Sequence, residues 1–184
     1  MMSKDITALL YTQFADLLDY PSGDLFSITE SCLGGVRSVH PEAADELAAF
    51  QNGIQNLSVQ KIEELYTVTF DMQPVCYPYA GYQLFGESYK RGAFMAQLNE
   101  AYRAFGYSSG EELPDHLAVI LRFLGLDSAN RQGEFCQTLL VEGVTPAIEK
   151  MLKAFAESQN PYVRLLKALQ LVLSHTPEKE LSHA

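Results

Sequence analysis

Cysteine is scarce, with Cys32, Cys76 and Cys136 odd in number and far apart. That excludes a disulfide framework, and no CxxC pair is present to suggest a redox couple or a zinc site. Positive charge is also in short supply, at 13 Lys plus Arg against 23 Asp plus Glu, for a formal net charge of −10. Such a surface repels phosphate backbones and anionic lipid, so it argues against nucleic acid or a membrane as partner and favours a basic or apolar peptide. No stretch reaches the ~18 uninterrupted apolar residues of a bilayer span. The N-terminal segment has Asp5 near its start and too short an apolar run for a secretory signal, so the expected location is cytoplasmic. The histidines, His40, His116, His175 and His183, include no pair at metal-ligand spacing. Neither a metal nor a cofactor is expected.

Helical periodicity fills the chain instead. Apolar residues recur every three or four positions, and sustained period-two alternation with hairpin turns is missing. The expectation is an all-α, single-domain helical bundle of about eight helices over residues 1–184, with 176–184 as a frayed tail. Ile6, Leu9, Leu10, Phe14, Leu17 and Leu18 form a first stripe that Pro21 and Gly23 close. A second helix fits Asp24 to Ser38, Pro41 suits the first turn of a third, and Ser58 can cap a fourth. Between Asp71 and Gly86, two prolines and three tyrosines predict a structured loop or short helix packed by its aromatics. Glu87 to Phe105 predicts a fifth helix with Phe94, Met95, Leu98, Ala101, Tyr102 and Phe105 inward. Leu117, Ile120, Leu121 and Leu124 mark a sixth. From Asn130 to Ser158 the pattern is again helical, but Gly143 and Pro146 demand a kink or two helices. Asn160 and Pro161 start the last one.

Three carboxylates, a proline and one of only four histidines crowd together from Gly110 to His116, "GEELPDH", just before the apolar "LAVILRFLGL". Pro114 is suited to the first helical position, which places Asp115 and His116 in the opening turn. The helix dipole there favours an ionised Asp115 and a neutral His116. Two readings follow: helix-start decoration, or a polar rim of Glu111, Glu112, Asp115 and His116 that grips a cationic side chain. In the segment Gly86 to Gly92, Ser88 or Gly86 can cap a helix, and Gly92 would let another helix approach closely. That segment lacks the spacing of a phosphate loop, so nucleotide binding has no strong motif. Nothing local marks Cys76 as an activated nucleophile.

Taken in order, these fragments carry a family likeness. Glu64-Leu65-Tyr66 with Phe70, Gly86-Glu87-Ser88 with Arg91, Gly92, Met95 and Leu98, Tyr102 with Gly106, and Glu112-Leu113-Pro114-Asp115-His116-Leu117 with Phe123-Leu124 resemble the NarJ/TorD/DmsD family of molybdenum oxidoreductase assembly chaperones, and NarJ most. The resemblance implies a cytoplasmic helical chaperone, with no turnover of its own. It would bind the N-terminal leader of a catalytic subunit, often a twin-arginine signal or its remnant, and hold the apoenzyme until molybdopterin is inserted. It places the family's Asp-His pair on Asp115 and His116, with Glu112, Leu113 and Pro114 in the same peptide-binding motif. Glu87, Arg91, Gly92 and Tyr66 belong to the family pattern without an assigned role. On this reading Asp115→Asn leaves melting almost untouched and weakens leader binding. The alternatives are a small helical enzyme with Asp115 and His116 as acid–base pair, and a permanent regulatory subunit of a reductase.

Overall fold

The computed structural model describes residues 5–126 and 128–174. The expected tail, 176–184 with His183, and His175 before it lie outside the described residues. Helix starts fall where short polar side chains can accept the first free amide hydrogens. Asp5 caps α1 (Ile6–Leu18) through Ala8 N, Asp24 caps α2 (Leu25–Arg37) through Ser27 N, and Ser58 caps α4 (Val59–Phe70) through Lys61 N. Pro41 opens α3 (Pro41–Ile54). Next come α5 (Ala80–Phe85), α6 (Tyr89–Ala104), α7 (Leu117–Leu124), α8 (Ser128–Gln132) and α9 (Glu134–Thr138). A π-helical turn (Leu139–Val144) leads into α10 (Thr145–Phe155), and α11 (Tyr162–Ser174) follows. No strand occurs among the described residues, and eight of these helices have seven or more residues. The fold is all-α as expected. The kink or break expected around Gly143 and Pro146 is the π turn, whose wider winding accommodates the missing N–H of Pro146.

By their contacts the described residues fall into two units. One comprises the chain up to Asp19 together with Tyr77–Met151, and the other comprises Tyr20–Cys76 together with the chain from Leu152 onward. In the first unit α1 lies against α7. A Cβ at Gly125 would come within 2.9 Å of Thr12 Oγ1 and 3.1 Å of the Ala8 carbonyl, so only glycine admits this approach. The helix α7 buries every apolar side chain it has, and each of its leucine, isoleucine, valine and phenylalanine side chains contributes about 1.5–3 kcal/mol of transfer free energy. Its one charged residue, Arg122, reaches Asp16 and Asp19 at 3.0 Å each. The α1 stripe is narrower than expected: Leu10, Phe14, Leu17 and Leu18 are buried, while Ile6 and Leu9 are about half exposed.

In the second unit α3 packs on α2 and α11. Pro161 seats against Gly53, where a Cβ would lie 2.9 Å from the proline ring. Asn160 Oδ1 accepts from Tyr162 N at 3.0 Å to start α11, and its Nδ2 donates to Thr69 Oγ1 at 2.8 Å. The core is aromatic. Phe70 and Tyr162 meet edge to face at 4.9 Å, and Phe50, Tyr66 and Tyr20 extend the cluster.

Candidate functional site

The segment before α7 does not begin the helix at Pro114. The helix starts at Leu117, and His116 is its cap, with an extended backbone and Nδ1 accepting from Ala118 N at 3.1 Å. What displaces the start is a pairing remote in sequence. Ala80 N donates to the Asp115 carbonyl at 2.8 Å and Leu117 N to the Pro78 carbonyl at 2.9 Å, which holds His116 beside Tyr79 as an isolated β-bridge. Tyr79 then stands edge-on to the His116 ring. An acceptor role at Nδ1 requires an imidazole unprotonated there. Burial agrees, holding His116 below the usual imidazole range against the opposing pull of Glu112, Asp19 and Asp115.

Asp115 does grip a cation, but that cation belongs to the same chain. Arg91 of α6 donates from Nε to Asp115 Oδ2 at 2.8 Å and from a terminal nitrogen to Oδ1 at 3.3 Å. The Asp115 side chain is fully buried and that of Arg91 is 16% exposed. The guanidinium carbon lies 5.3 Å from the Tyr79 ring centre and 5.7 Å from that of Tyr82. The hydrogen bond to Asp115 raises the Arg91 pKa further. A polar rim with Asp115 and His116 free at its edge is therefore replaced by a buried knot. Pro114 is buried too, its carbonyl accepting from the Tyr102 hydroxyl at 2.7 Å. Of the motif only Glu112 and Leu113 reach the surface. Glu112 Oε1 accepts from the Tyr79 hydroxyl at 3.1 Å and from Leu113 N at 2.8 Å. Burial, aided by Glu112, pushes the Tyr79 hydroxyl up to about 12.

The other family positions separate. Glu87 is exposed near the start of α6, close enough to Arg91 to favour its charge. Gly92 is exposed with open space where a Cβ would stand, so the close approach expected there is absent. It occurs at Gly81 instead, where a Cβ would meet Asp115 Oδ2 at 2.6 Å, Phe94 Cδ1 at 2.9 Å and Arg91 Cγ at 3.1 Å. Tyr66 lies in the second unit's aromatic core. Cys76 is buried, which pushes its thiol up to about 12 and makes it a poor nucleophile.

Sequence reasoning missed an apolar groove. Of the α6 residues expected inward, Leu98 and Tyr102 are buried, but Phe105 is 51% exposed and Phe94 and Ala101 are half-buried. With Leu84 and Phe85 of α5, Phe135 of α9 and Leu139 and Gly143 of the π turn, they line a cavity of about 590 Å³. Glu100 and Glu142 stand in its lining and are exposed. The signal for it lay in the weak amphipathicity of α6. Among the described residues no three His, Cys, Asp or Glu side chains gather as a metal site, and no helix is long and apolar enough to cross a membrane.

Against known proteins, no curated sequence matches the chain. A crystal structure of a protein from Archaeoglobus fulgidus assigned to redox enzyme maturation shares the fold, with a TM-score of 0.63 over 95% of this chain and 97% of that one, at 19% sequence identity. The family model described as nitrate reductase delta subunit matches residues 37–168, which include the buried knot and the whole lining of the groove. The chain thus belongs to the nitrate reductase delta subunit family, a family of nitrate reductase assembly chaperones rather than of catalytic enzymes.

Proposed function

We propose that this chaperone binds the N-terminal leader of the catalytic subunit of a molybdenum oxidoreductase of the nitrate reductase kind, in the cytoplasm. It holds that subunit until molybdopterin is inserted, and the whole chain acts as one functional domain. The observation that carries the reading is the apolar groove of the first unit with its two exposed carboxylates. An amphipathic segment bearing arginines fits it in both respects: apolar side chains bury against Phe85, Phe94 and Phe105, and cationic ones lie near Glu100 and Glu142. Glu112 and Leu113, the exposed part of the motif, are available to the leader directly. Pro114, Asp115 and His116 serve by holding α5, α6 and α7 in place.

Burial then supplies most of the affinity. A client leader binds with a negative heat-capacity change and only a modest loss on raising salt, because rim carboxylates are screened while apolar burial is not. Titration calorimetry at two temperatures and two salt concentrations tests this, and a steep salt loss with no heat-capacity change would refute it. Co-purification separates a chaperone from a permanent regulatory subunit. The chaperone is found with the immature catalytic subunit and is absent from the mature enzyme.

A further inference from the structure

Gly81 lies between the buried knot and Phe94, a residue of the groove's lining. Its missing Cβ leaves room for Asp115 Oδ2 on one side and for the Phe94 ring on the other. Arg91 and Phe94 are one turn apart on α6, and Arg91 is held by Asp115 while lying near both Tyr79 and Tyr82. Tyr79 precedes α5 and Tyr82 lies within it, so a single guanidinium ties α6 to α5 and to the segment that caps α7. One further turn along, α5 presents Leu84 and Phe85 to the groove, and α6 presents Phe94, Gln97 and Ala101. Phe85 and Phe94, both in its lining, meet edge to face at 5.9 Å. A Cβ at Gly143 would meet only the tip of Leu139 at 3.1 Å and stand 4.0 Å from Phe94 Cζ.

We propose that Arg91, Asp115 and Gly81 are positioning residues that fix the separation of α5 and α6 and so set the width of the groove. The proposal rests on the leader-binding reading for its biological use, but the groove width can be tested without a leader. Lysine at position 91 keeps the charge and loses both the second hydrogen bond and the planar contact with the tyrosines, so α5 and α6 are no longer held at one distance. Alanine at position 81 forces a methyl group into a buried carboxylate and a ring, which moves α5 away from α6.

The test compares wild type, Arg91→Lys, Gly81→Ala and Tyr107→Phe, each at a temperature where circular dichroism shows it fully helical. Tyr107→Phe removes a hydroxyl bond to the Val119 carbonyl outside the groove, and so controls for general destabilisation. Two probes are titrated: Nile red, a neutral apolar dye, and a synthetic client leader. Arg91→Lys and Gly81→Ala are expected to weaken Nile red binding about tenfold, equivalent to about 1.4 kcal/mol, with Tyr107→Phe close to wild type. Arg91→Lys binding Nile red as wild type does would overturn the proposal, and so would an equal loss in Tyr107→Phe. Should Gly81→Ala fail to fold, Arg91→Lys alone decides. If the leader binds no protein while Nile red follows the expected order, the leader reading fails and the positioning claim stands.

Discussion

In the second unit Tyr66, Phe70 and Tyr162 close on one another with ring centres 4.9–6.1 Å apart. In the first, Phe85, Phe94, Phe105 and Phe135 stand around a groove, and three of these are more than a third exposed. The same residue type therefore serves two ends. A ring buried against other rings has already released its hydration free energy to the fold, whereas a ring beside a groove retains apolar area that a partner can bury. Polar groups divide in the same way. Asn160 and Thr69 satisfy each other within the second unit, while in the first the buried Arg91–Asp115 pair holds α6, one of the helices that frame the groove. Stability and binding should thus be separable by mutation.

The largest effect is expected from Phe70→Ala, which removes a ring from the closed cluster and should cost about 3–5 kcal/mol of stability. Leader affinity, measured on the folded fraction, should remain at the wild-type value. Chemical denaturation and calorimetry on one preparation check both halves. Next comes Asp115→Asn. Sequence reasoning expected it to spare stability, but its carboxylate is fully buried against Arg91. Breaking such a pair costs about 3–5 kcal/mol when both partners are enclosed, and the partial exposure of Arg91 lowers this to about 2–3 kcal/mol. A melting temperature unchanged from wild type would contradict the buried pair. Phe105→Ala should reverse the pattern of Phe70→Ala, costing about 1 kcal/mol of stability and weakening the leader about tenfold.

A smaller effect is set by pH. Burial lowers the folded pKa of His116 from its ordinary 6.5, so below about pH 6.5 the unfolded chain takes up a proton that the folded chain refuses. Stability therefore rises with pH from the depressed folded value up to about 6.5 and is lost on acidification through that window. His116→Asn keeps a cap acceptor for Ala118 N and should flatten this part of the profile. Equal slopes in the two proteins over pH 5–7 would assign the dependence elsewhere. Smallest of all is Tyr162→Phe, whose buried hydroxyl has no hydrogen-bond partner among the described residues. Its removal should leave stability within about 1 kcal/mol of wild type or raise it slightly.

Local signals were legible in the chain. Ser58, Pro41 and Asn160 mark helix starts because each acts on amides or dihedrals within three residues of itself. The start of α7 was not, since Pro114 obeys its local preference only until Tyr79, 35 positions earlier in sequence, pairs with His116. The motif at 112–116 was visible as a cluster of polar residues, but its partner Arg91 lies 24 residues away and nothing local names it. Periodicity placed Phe94 and Phe105 on an inward face. A short α5 leaves that face uncovered, and whether a stripe meets a partner or a groove is decided by the neighbouring element, not by the stripe.

The account stands most directly on where a leader settles. Methyl chemical shifts of the full chain, recorded with and without a client's N-terminal leader peptide, decide it. Perturbations are expected at Leu84, Ala101, Ala104 and Leu139, with Leu57, Val59 and Ile62 of the second unit unchanged. Shifts confined to those second-unit residues, with the groove silent, would contradict it.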